Sequence, residues 1–209
     1  MKHCVIFCAG EFDTLAEPLT AQDCVIAADG GYSHTCRLGI TPHRILGDFD
    51  SLGYVPEKAL RFPVEKDDTD AMLAARYGLE QGFDKFLFYG SLEGPRLDHT
   101  VANFQTLQFL ADRGARGFLI GKHQLVTVVK ESTLTFPETA QGDISVFCMG
   151  SPARGVTLKG LKYNLQDGEL TPGFPLGVSN HFTGAAAEIS VKEGSLLVIY
   201  SRQNGFVWK

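Results

Sequence analysis

Short apolar runs alternate with helix-forming segments over the first part of the chain. The apolar runs predict strands at residues 4–8, 24–28, 44–46, 61–64, 85–89 and 117–120. Pro63 places the fourth of these at a sheet edge or at a strand end. Helical periodicity and helix-favouring residues predict helices at residues 32–38, 71–81 and 101–111, each closely followed by a glycine. This alternation predicts parallel strands in a sheet that is covered on both faces.

The pattern changes after residue 124. Six short strand candidates follow, at residues 125–129, 133–136, 144–148, 156–158, 188–191 and 196–200. Turns rich in Gly, Pro, Asn and Asp separate them, and no segment between them has a convincing helical pattern. The sequence therefore predicts an α/β domain followed by an all-β domain, a small sandwich or a roll, with the boundary between residues 120 and 131. We set the two domains at residues 1–125 and 126–209.

Composition and charge narrow the class of protein. The chain has 209 residues, 44% of them hydrophobic and 21% charged, as in an ordinary soluble globular protein. A net charge of −5 argues against nucleic-acid and anionic-membrane partners, which need a basic surface. No apolar run approaches the ~20 residues that cross a bilayer, and the first apolar segment is too short for a secretory signal. Five cysteines without paired spacing predict reduced thiols and a cytoplasmic protein, and the cysteines and six histidines show no zinc-ligand spacing.

A pair of carboxylates follows the third predicted strand, in the segment Gly47-Asp48-Phe49-Asp50-Ser51. Side chains at i and i+2 point the same way if the backbone is extended. Two neighbouring carboxylates suit Mg²⁺ that is shared with phosphate oxygens. Taken alone, the same segment is more typical of a surface turn with solvated carboxylates.

Similar polar positions follow the neighbouring predicted strands. They are Asp29 after the second strand, Asp67 and Asp70 after the fourth, and Arg96, Asp98 and His99 after the fifth. Ligands of open parallel sheets bind beyond the carboxyl ends of the strands, so we expect these groups to gather along one edge. Carboxylates at such short range raise one another's pKa values unless a cation is present. A divalent metal resolves this repulsion, and Mg²⁺ with a polyphosphate is the usual partner of all-oxygen ligands.

The phosphate-binding loops of common nucleotide enzymes are absent from the sequence. Neither Gly-x-Gly-x-x-Gly nor Gly-x-x-x-x-Gly-Lys-Ser/Thr occurs. Gly30-Gly31 and the loop 90–94 could still bring backbone amides to phosphates, and Arg96 is the side chain best suited to bind one. This chemistry is typical of phosphoryl-type transfer.

Each candidate also has a structural alternative. Asp29 could cap the segment after its strand. Thr69, Asp70 and Asp98 could be residues that begin helices, where Thr and Asp are favoured. His99 could be a surface residue of a helix, and Asn103 could bond only to backbone.

Several motifs together resemble thiamine pyrophosphokinases. The motifs are Ala28-Asp29-Gly30-Gly31, Gly47-Asp48-Phe49-Asp50-Ser51, Lys66-Asp67-x-Thr69-Asp70 and Gly94-x-Arg96-Leu97-Asp98-His99-x3-Asn103. Their order and spacing fit the family along the whole first domain. In the second domain, Gly160-Leu161-Lys162-Tyr163 and Ser179-Asn180 look like the family's thiamine-side motifs. Each motif is weak alone, and together they are highly specific.

The resemblance implies transfer of a pyrophosphoryl group from ATP to the hydroxyl of thiamine, giving thiamine diphosphate and AMP. It also implies a Rossmann-like, mostly parallel sheet with flanking helices, a C-terminal β-sandwich, and a homodimer with thiamine near the subunit interface. Asp48, Asp50, Asp70 and Asp98 match the acidic positions around Mg²⁺ and the triphosphate, and Arg96 would help to neutralise charge. The nucleotide region would include Asp29, Gly30, Asp67, Thr69, Arg96, His99 and Asn103. The thiamine side would include Tyr163, Ser179 and Asn180.

The chain also departs from the family pattern. His181 stands where bacterial relatives commonly carry an acidic residue, and Tyr163 stands where some carry tryptophan. Asp68 falls on a variable position and is not assigned to the site. Asp98 and a nearby carboxylate are both candidates to accept the hydroxyl proton.

Two rival functions belong to other classes. A nucleotide-sugar transferase also uses Asp-x-Asp to hold a metal on a diphosphate, but it would bind a sugar nucleotide and ignore thiamine. A nucleotide- or thiamine-sensing module would bind without turnover, although sensing alone does not need every carboxylate.

Overall fold

The computed structural model describes residues 2–63 and 67–208. The chain divides into two compact units, Met1–Lys122 and His123–Lys209. Among the helices within these ranges, none combines the length and the apolar character that a membrane span needs. All five cysteines are free.

The first unit is an α/β structure whose sheet is parallel. Its strands are β1 (Cys4–Phe7), β2 (Cys24–Ala28), β3 (Arg44–Gly47), β4 (Leu60–Arg61), β5 (Lys85–Tyr89) and β6 (Arg116–Ile120). The helices are α1 (Gly31–Arg37), α2 (Asp70–Glu80) and α3 (Leu97–Ala111). The strand order within this unit is β6-β5-β1-β2-β3-β4, and every pairing in it is parallel.

The central strands are buried along their whole length. All four residues of β1 are buried, and so are the last four residues of β5 and of β6. Successive strand residues point to opposite faces, so both faces of this sheet are covered. Helix α2 turns a row of small residues inward, namely Ala71, Ala74, Ala75 and Gly78, which allows it to pack closely against β1, β2 and β3.

The fourth strand differs from its prediction. Strand β4 covers Leu60–Arg61 instead of residues 61–64, and Phe62 and Pro63 lie outside it. Val64 of the predicted strand lies outside the described residues, as does Lys66 of the third sequence motif. The strand does lie at the end of the strand order, in agreement with the edge position that Pro63 predicted, since proline has no N–H to donate to a neighbouring strand.

The second unit is antiparallel β structure. Its strands are β7 (Gln124–Lys130), β8 (Thr133–Phe136), β9 (Asp143–Cys148), β10 (Ala153–Lys159), β11 (Leu165–Leu170), β12 (Gly177–His181), β13 (Ala187–Ser190) and β14 (Ser195–Ser201). They form two four-stranded groups, in the orders β12-β9-β14-β7 and β11-β10-β13-β8. The ring of Phe136 in one group meets that of Tyr200 in the other, with centroids 4.9 Å apart. A 3₁₀ helix, Arg202–Asn204, follows the last strand.

Candidate functional site

A cavity of about 580 Å³ opens at the carboxyl ends of β1, β2, β3 and β5. It lies where β1 has β2 on one side and β5 on the other, the point at which the chain order of the sheet reverses and where open α/β sheets bind ligands. Its lining consists of Cys8, Ala9, Gly10, Ala28, Asp29, Asp48, Asp50, Ser51, Asp68, Thr69, Asp70, Ala71, Gly90, Ser91, Glu93, Gly94, Pro95, Arg96, His99, Thr100 and Asn103.

A second cavity, of about 280 Å³, lies in the second unit beside the segment 170–177. Among the residues that the structure describes, none with a charged side chain lines it. The larger cavity is therefore the one that candidate residues from the sequence line.

Backbone hydrogen bonds join the two glycine-containing loops of the large cavity. Beyond the ends of β1 and β5, Cys8 N–H donates to Tyr89 O at 2.8 Å, Gly10 N–H to Gly90 O at 2.9 Å, and Glu11 N–H to Glu93 O at 3.0 Å. Buried Asn103 then ties this loop to α3, because its Nδ2 donates to Ser91 O at 2.7 Å. Asn103 thus bonds to the backbone, which was its structural alternative, and it also lines the cavity.

Three carboxylates come together at the cavity. Asp29, Asp48 and Asp50 each place one carboxylate oxygen so that all three lie within 4.8 Å of one another. Asp29 is buried, Asp48 is half-buried and Asp50 is exposed, so the cluster runs from the sheet edge to solvent. Within the described ranges, Asp70 and Asp98 are not part of this group.

The two Asp side chains of the 47–51 segment meet through a turn and not through an extended strand. Strand β3 ends at Gly47, and buried Phe49 has a φ of 64°. The amide of Asp50 then donates to Oδ1 of Asp48 at 3.3 Å. Gly47 has a φ of 149°, and a Cβ there would lie 3.0 Å from the backbone of Asp29. The backbone is therefore not extended between Asp48 and Asp50, and their carboxylates are nevertheless neighbours.

The buried member of the cluster has an unsatisfied acceptor. Oδ1 of Asp29 is buried and has no hydrogen-bond partner in the described part of the chain. The backbone of Asp29 adopts a φ of 48°, which few side chains other than Asn and Asp tolerate. A buried acceptor without a donor is unfavourable. A divalent cation would satisfy it and would screen the repulsion among the three carboxylates, so this residue set fits a hard metal ion.

Helix α2 begins at the cavity. Thr69 is its N-cap and accepts a hydrogen bond from Met72 N–H at 3.2 Å, and Asp70 lies in its first turn. Both residues line the cavity, so the capping role and the cavity position coexist. Asp68 lines it too, but its carboxylate pairs with Arg76 at 2.9 Å. Asp67 is exposed and is not in the lining.

Arg96 and Asp98 form an exposed ion pair at the start of α3. Nη2 of Arg96 donates to Oδ2 of Asp98 at 2.7 Å, and Nε donates to Oδ1 at 2.9 Å. These bonds from Arg96 hold the pKa of Asp98 at about 2, and the same bonds together with the charges of Asp98 and Asp50 raise the pKa of Arg96. Arg96 lines the cavity, whereas Asp98 does not.

The remaining candidates occupy different surroundings. His99 is exposed and lines the cavity. Gly30 is not in the lining, but a Cβ on it would contact Ala9 and Ser51, which are. Tyr163, Ser179 and Asn180 belong to the second unit: Tyr163 and Ser179 are exposed, and Asn180 is buried.

Some lining residues were absent from the sequence-based candidates. They include Cys8, Ala9 and Gly10 after β1, whereas Ser91 and Glu93 lie in the loop 90–94, which the sequence indicated only through its backbone amides. The rule used for the other strands, that ligands meet the carboxyl ends, would also have identified the end of β1. Burial raises the pKa of the Cys8 thiol to about 12, with a smaller effect from the charge of Asp70. Cys8 therefore lines the cavity as a neutral thiol.

Comparison with known protein families identifies the family of this chain. A family model described as the catalytic domain of thiamin pyrophosphokinase matches residues 15–119, half of the chain. A second model, the vitamin B1 binding domain of thiamin pyrophosphokinase, matches residues 131–196. This chain belongs to the thiamin pyrophosphokinase family.

Individual thiamine pyrophosphokinases agree with this assignment. The curated enzyme of Bacillus subtilis (strain 168) is 27% identical over 185 residues, which cover 84% of this chain and 86% of that protein. The crystal structure of the Geobacillus thermodenitrificans protein is 27% identical, with a TM-score of 0.77 over 96% of both chains. The Bacillus subtilis crystal structure, at 24% identity, shows the same fold with a TM-score of 0.84 over 96% of this chain and 99% of that one.

The comparisons confirm the predicted family. They also agree with an α/β first part followed by antiparallel β structure. A thiamine pyrophosphokinase is a diphosphotransferase, so the predicted class of enzyme is confirmed as well.

Proposed function

We propose that this protein transfers the pyrophosphoryl group of ATP to the hydroxyl of thiamine, with Mg²⁺ held at the cluster of Asp29, Asp48 and Asp50. The observation that carries the proposal is this cluster, at the carboxyl edge of a parallel sheet in a chain of the thiamin pyrophosphokinase family. Bound Mg²⁺ would neutralise charge on the phosphate oxygens.

The chain's own groups would bind and orient the triphosphate. Arg96 lines the cavity, and the N–H groups of Nη1 and the second N–H of Nη2, which Asp98 does not use, can donate two hydrogen bonds to a phosphate. The N-termini of α2 and α3, at Thr69 and Arg96, also border the cavity and present positive dipole ends to an anion. Asp70 and Asp98 stay proposed acidic contributors to this region.

The bond changes follow from the reaction. The thiamine hydroxyl oxygen attacks the β-phosphorus in line, the bond between the β-phosphorus and the oxygen bridging to the α-phosphate breaks, and AMP leaves. The hydroxyl proton goes to Asp98 or a nearby carboxylate. Because Asp98 has a pKa of about 2, it is ionised at neutral pH and can accept a proton, but it is a weak base.

The two substrates would bind to different units of the chain. We propose that residues 1–125 form a Rossmann-like domain that binds ATP, with Gly30, Asp67, His99 and Asn103 near the nucleotide. Residues 126–209 would form a β-sandwich domain that binds thiamine through Tyr163, Ser179 and Asn180. The match of residues 131–196 to a vitamin B1 binding domain supports the second assignment. A homodimer with thiamine near its interface, and a cytoplasmic location, stay predictions.

The test is release of AMP. Purified protein with thiamine, ATP and Mg²⁺ should form AMP and thiamine diphosphate together, and leaving out thiamine or adding EDTA should stop both. AMP release that does not depend on thiamine, or turnover of a sugar nucleotide in its place, would overturn the proposal. Thiamine binding without turnover of ATP or any other nucleoside triphosphate would favour the sensing module.

A further inference from the structure

Strand β12 contains an extra residue that changes the direction of its side chains. In its pairing with β9, Gly177 lies opposite Val146 and Asn180 lies opposite Ile144, so β12 gains one residue over this interval. Ser179 lies within this interval and has a φ of 56°. Such a bulge redirects the side chains that follow it. Accordingly Ser179 is exposed and Asn180 is buried, only 2% exposed.

The buried side chain of Asn180 makes three hydrogen bonds within the protein. Its Oδ1 accepts from the backbone N–H groups of Tyr163 and His181, both at 2.9 Å. Its Nδ2 donates to the carbonyl oxygen of Tyr163 at 2.6 Å. Only one orientation of the amide fits these bonds, because the opposite one would place NH₂ against two N–H donors. Asn180 therefore holds both polar backbone groups of Tyr163.

The segment around Tyr163 is tied to the same strand at other points. Lys162 N–H donates to His181 O at 2.9 Å, and Leu161 forms a β-bridge with Phe182. Gly160, with a φ of 70°, begins this segment, and a Cβ there would lie 2.1 Å from the carbonyl oxygen of Ala186. With its backbone fixed in this way, Tyr163 leaves its side chain in solvent, and the residue is 59% exposed.

An exposed aromatic ring on a fixed backbone is suited to meet a flat ligand. An aromatic contact of this kind is strongest when the ring is held in place before binding, since less freedom is lost. Nζ of Lys162 lies 5.2 Å from the centre of the Tyr163 ring, so a cation is already accommodated at this ring. Asn180, by contrast, offers little surface to a ligand.

We propose that Asn180 is a positioning residue for thiamine: it acts by fixing the backbone of Tyr163, and the Tyr163 ring, not the Asn180 amide, contacts the substrate. This inference rests on the proposed function. It revises the expectation, drawn from the family resemblance, that Asn180 itself binds thiamine.

A double-mutant cycle tests this role through the KM for thiamine. Asn180→Ala and Tyr163→Ala should each raise that KM by about tenfold, the size of a lost aromatic contact, with the KM for ATP unchanged. Added to Tyr163→Ala, the Asn180→Ala change should raise the KM by less than about twofold, because no ring is left to position. Increases that multiply in the double variant would show that Asn180 contributes independently of Tyr163 and would overturn the proposal. Asn164→Ala, at an exposed asparagine beside Tyr163, is the matched control and should leave the KM unchanged.

A second measurement uses the wild-type protein and does not depend on how the variants fold. In NMR spectra, the Tyr163 amide proton should exchange slowly. Added thiamine should shift the Tyr163 ring signals and leave the Asn180 side-chain amide signals in place. Shifts of the Asn180 amide as large as those of the ring would contradict the proposal. Lack of AMP release by wild-type protein would count against the proposed function alone, since the NMR experiment follows binding.

Discussion

At the scale of single residues, the acidic cluster depends on unusual backbone conformations. Asp29 and Phe49 both have positive φ values, and Gly47 lies so close to Asp29 that a side chain there would press on its backbone. Such strain persists only where surrounding structure enforces it, and it is often found at functional sites. Here it holds together three carboxylates that repel one another.

The cluster predicts the effect of removing one charge. Asp48→Asn should lower the rate of AMP release on the order of a hundredfold or more, because one of the charges that hold the metal is lost while the shape is kept. Thermal unfolding should change little. Asp84→Asn is the control, because Asp84 is exposed and precedes the opposite, amino end of β5. Near-wild-type turnover in the Asp48→Asn protein would show that the metal role is wrong.

The ion pair between Arg96 and Asp98 at the start of α3 predicts a low pKa for Asp98. The pKa of Asp98 is about 2 in the folded protein, below its ordinary value of 3.8, because Arg96 stabilises the carboxylate. The contribution of this pair to stability is therefore present above about pH 4 and is lost as the pH falls through about 2. Carbon NMR of the Asp98 carboxyl group should show this low pKa, and Arg96→Gln should return it towards 3.8. An unshifted pKa in the wild type, or no change in the variant, would contradict the ion pair in solution. High salt should weaken the shift, since both groups are exposed.

At the scale of elements, the strands with strong apolar patterns were predicted well. Strands β2, β5 and β8 have the predicted bounds, because each is bounded by clear turn or polar residues. Strands β11 and β12 were missed. Their sequences, Leu-Gln-Asp-Gly-Glu-Leu and Gly-Val-Ser-Asn-His, contain Asp-Gly and Ser-Asn pairs that normally indicate turns, and most of their residues are not buried. Tertiary pairing, not local pattern, makes them strands.

Helix α2 allows a test of its N-cap. Thr69→Ala should lower the free energy of unfolding by about 1 kcal/mol, because the Met72 amide loses its acceptor, whereas Thr69→Ser keeps a hydroxyl and should lie close to the wild type. Urea denaturation of the three proteins measures both changes. Equal midpoints for the Ala and Ser variants would show that the cap contributes nothing in solution.

At the scale of the whole molecule, the sequence predicted a set of acidic residues at one sheet edge, and over the ranges it describes the structure brings only three of them into one cluster. Parallel topology was enough to place Asp29, Asp48 and Asp50 at one edge, because their strands end there. The turn at Phe49, the partnership of Asp98 with Arg96, and the burial of Asn180 by a bulge depend on backbone geometry that one sequence does not reveal. The first two of these details set the geometry of the acidic candidates, and the third sets the exposure of a candidate in the second unit.

The family resemblance makes a prediction about assembly. In solution the protein should have twice the 22.8 kDa mass of one chain, since thiamine is expected near a subunit interface. Light scattering behind size-exclusion chromatography measures this mass directly. A protein that is fully active as a monomer would contradict the proposed homodimer.

The most direct test of the central claim identifies the products of the wild-type enzyme by phosphorus NMR. With thiamine, ATP and Mg²⁺, attack at the β-phosphorus predicts thiamine diphosphate and AMP in equal amounts. Thiamine monophosphate and ADP would instead mean attack at the γ-phosphorus, and the account of a pyrophosphoryl transfer at this acidic cluster would be wrong.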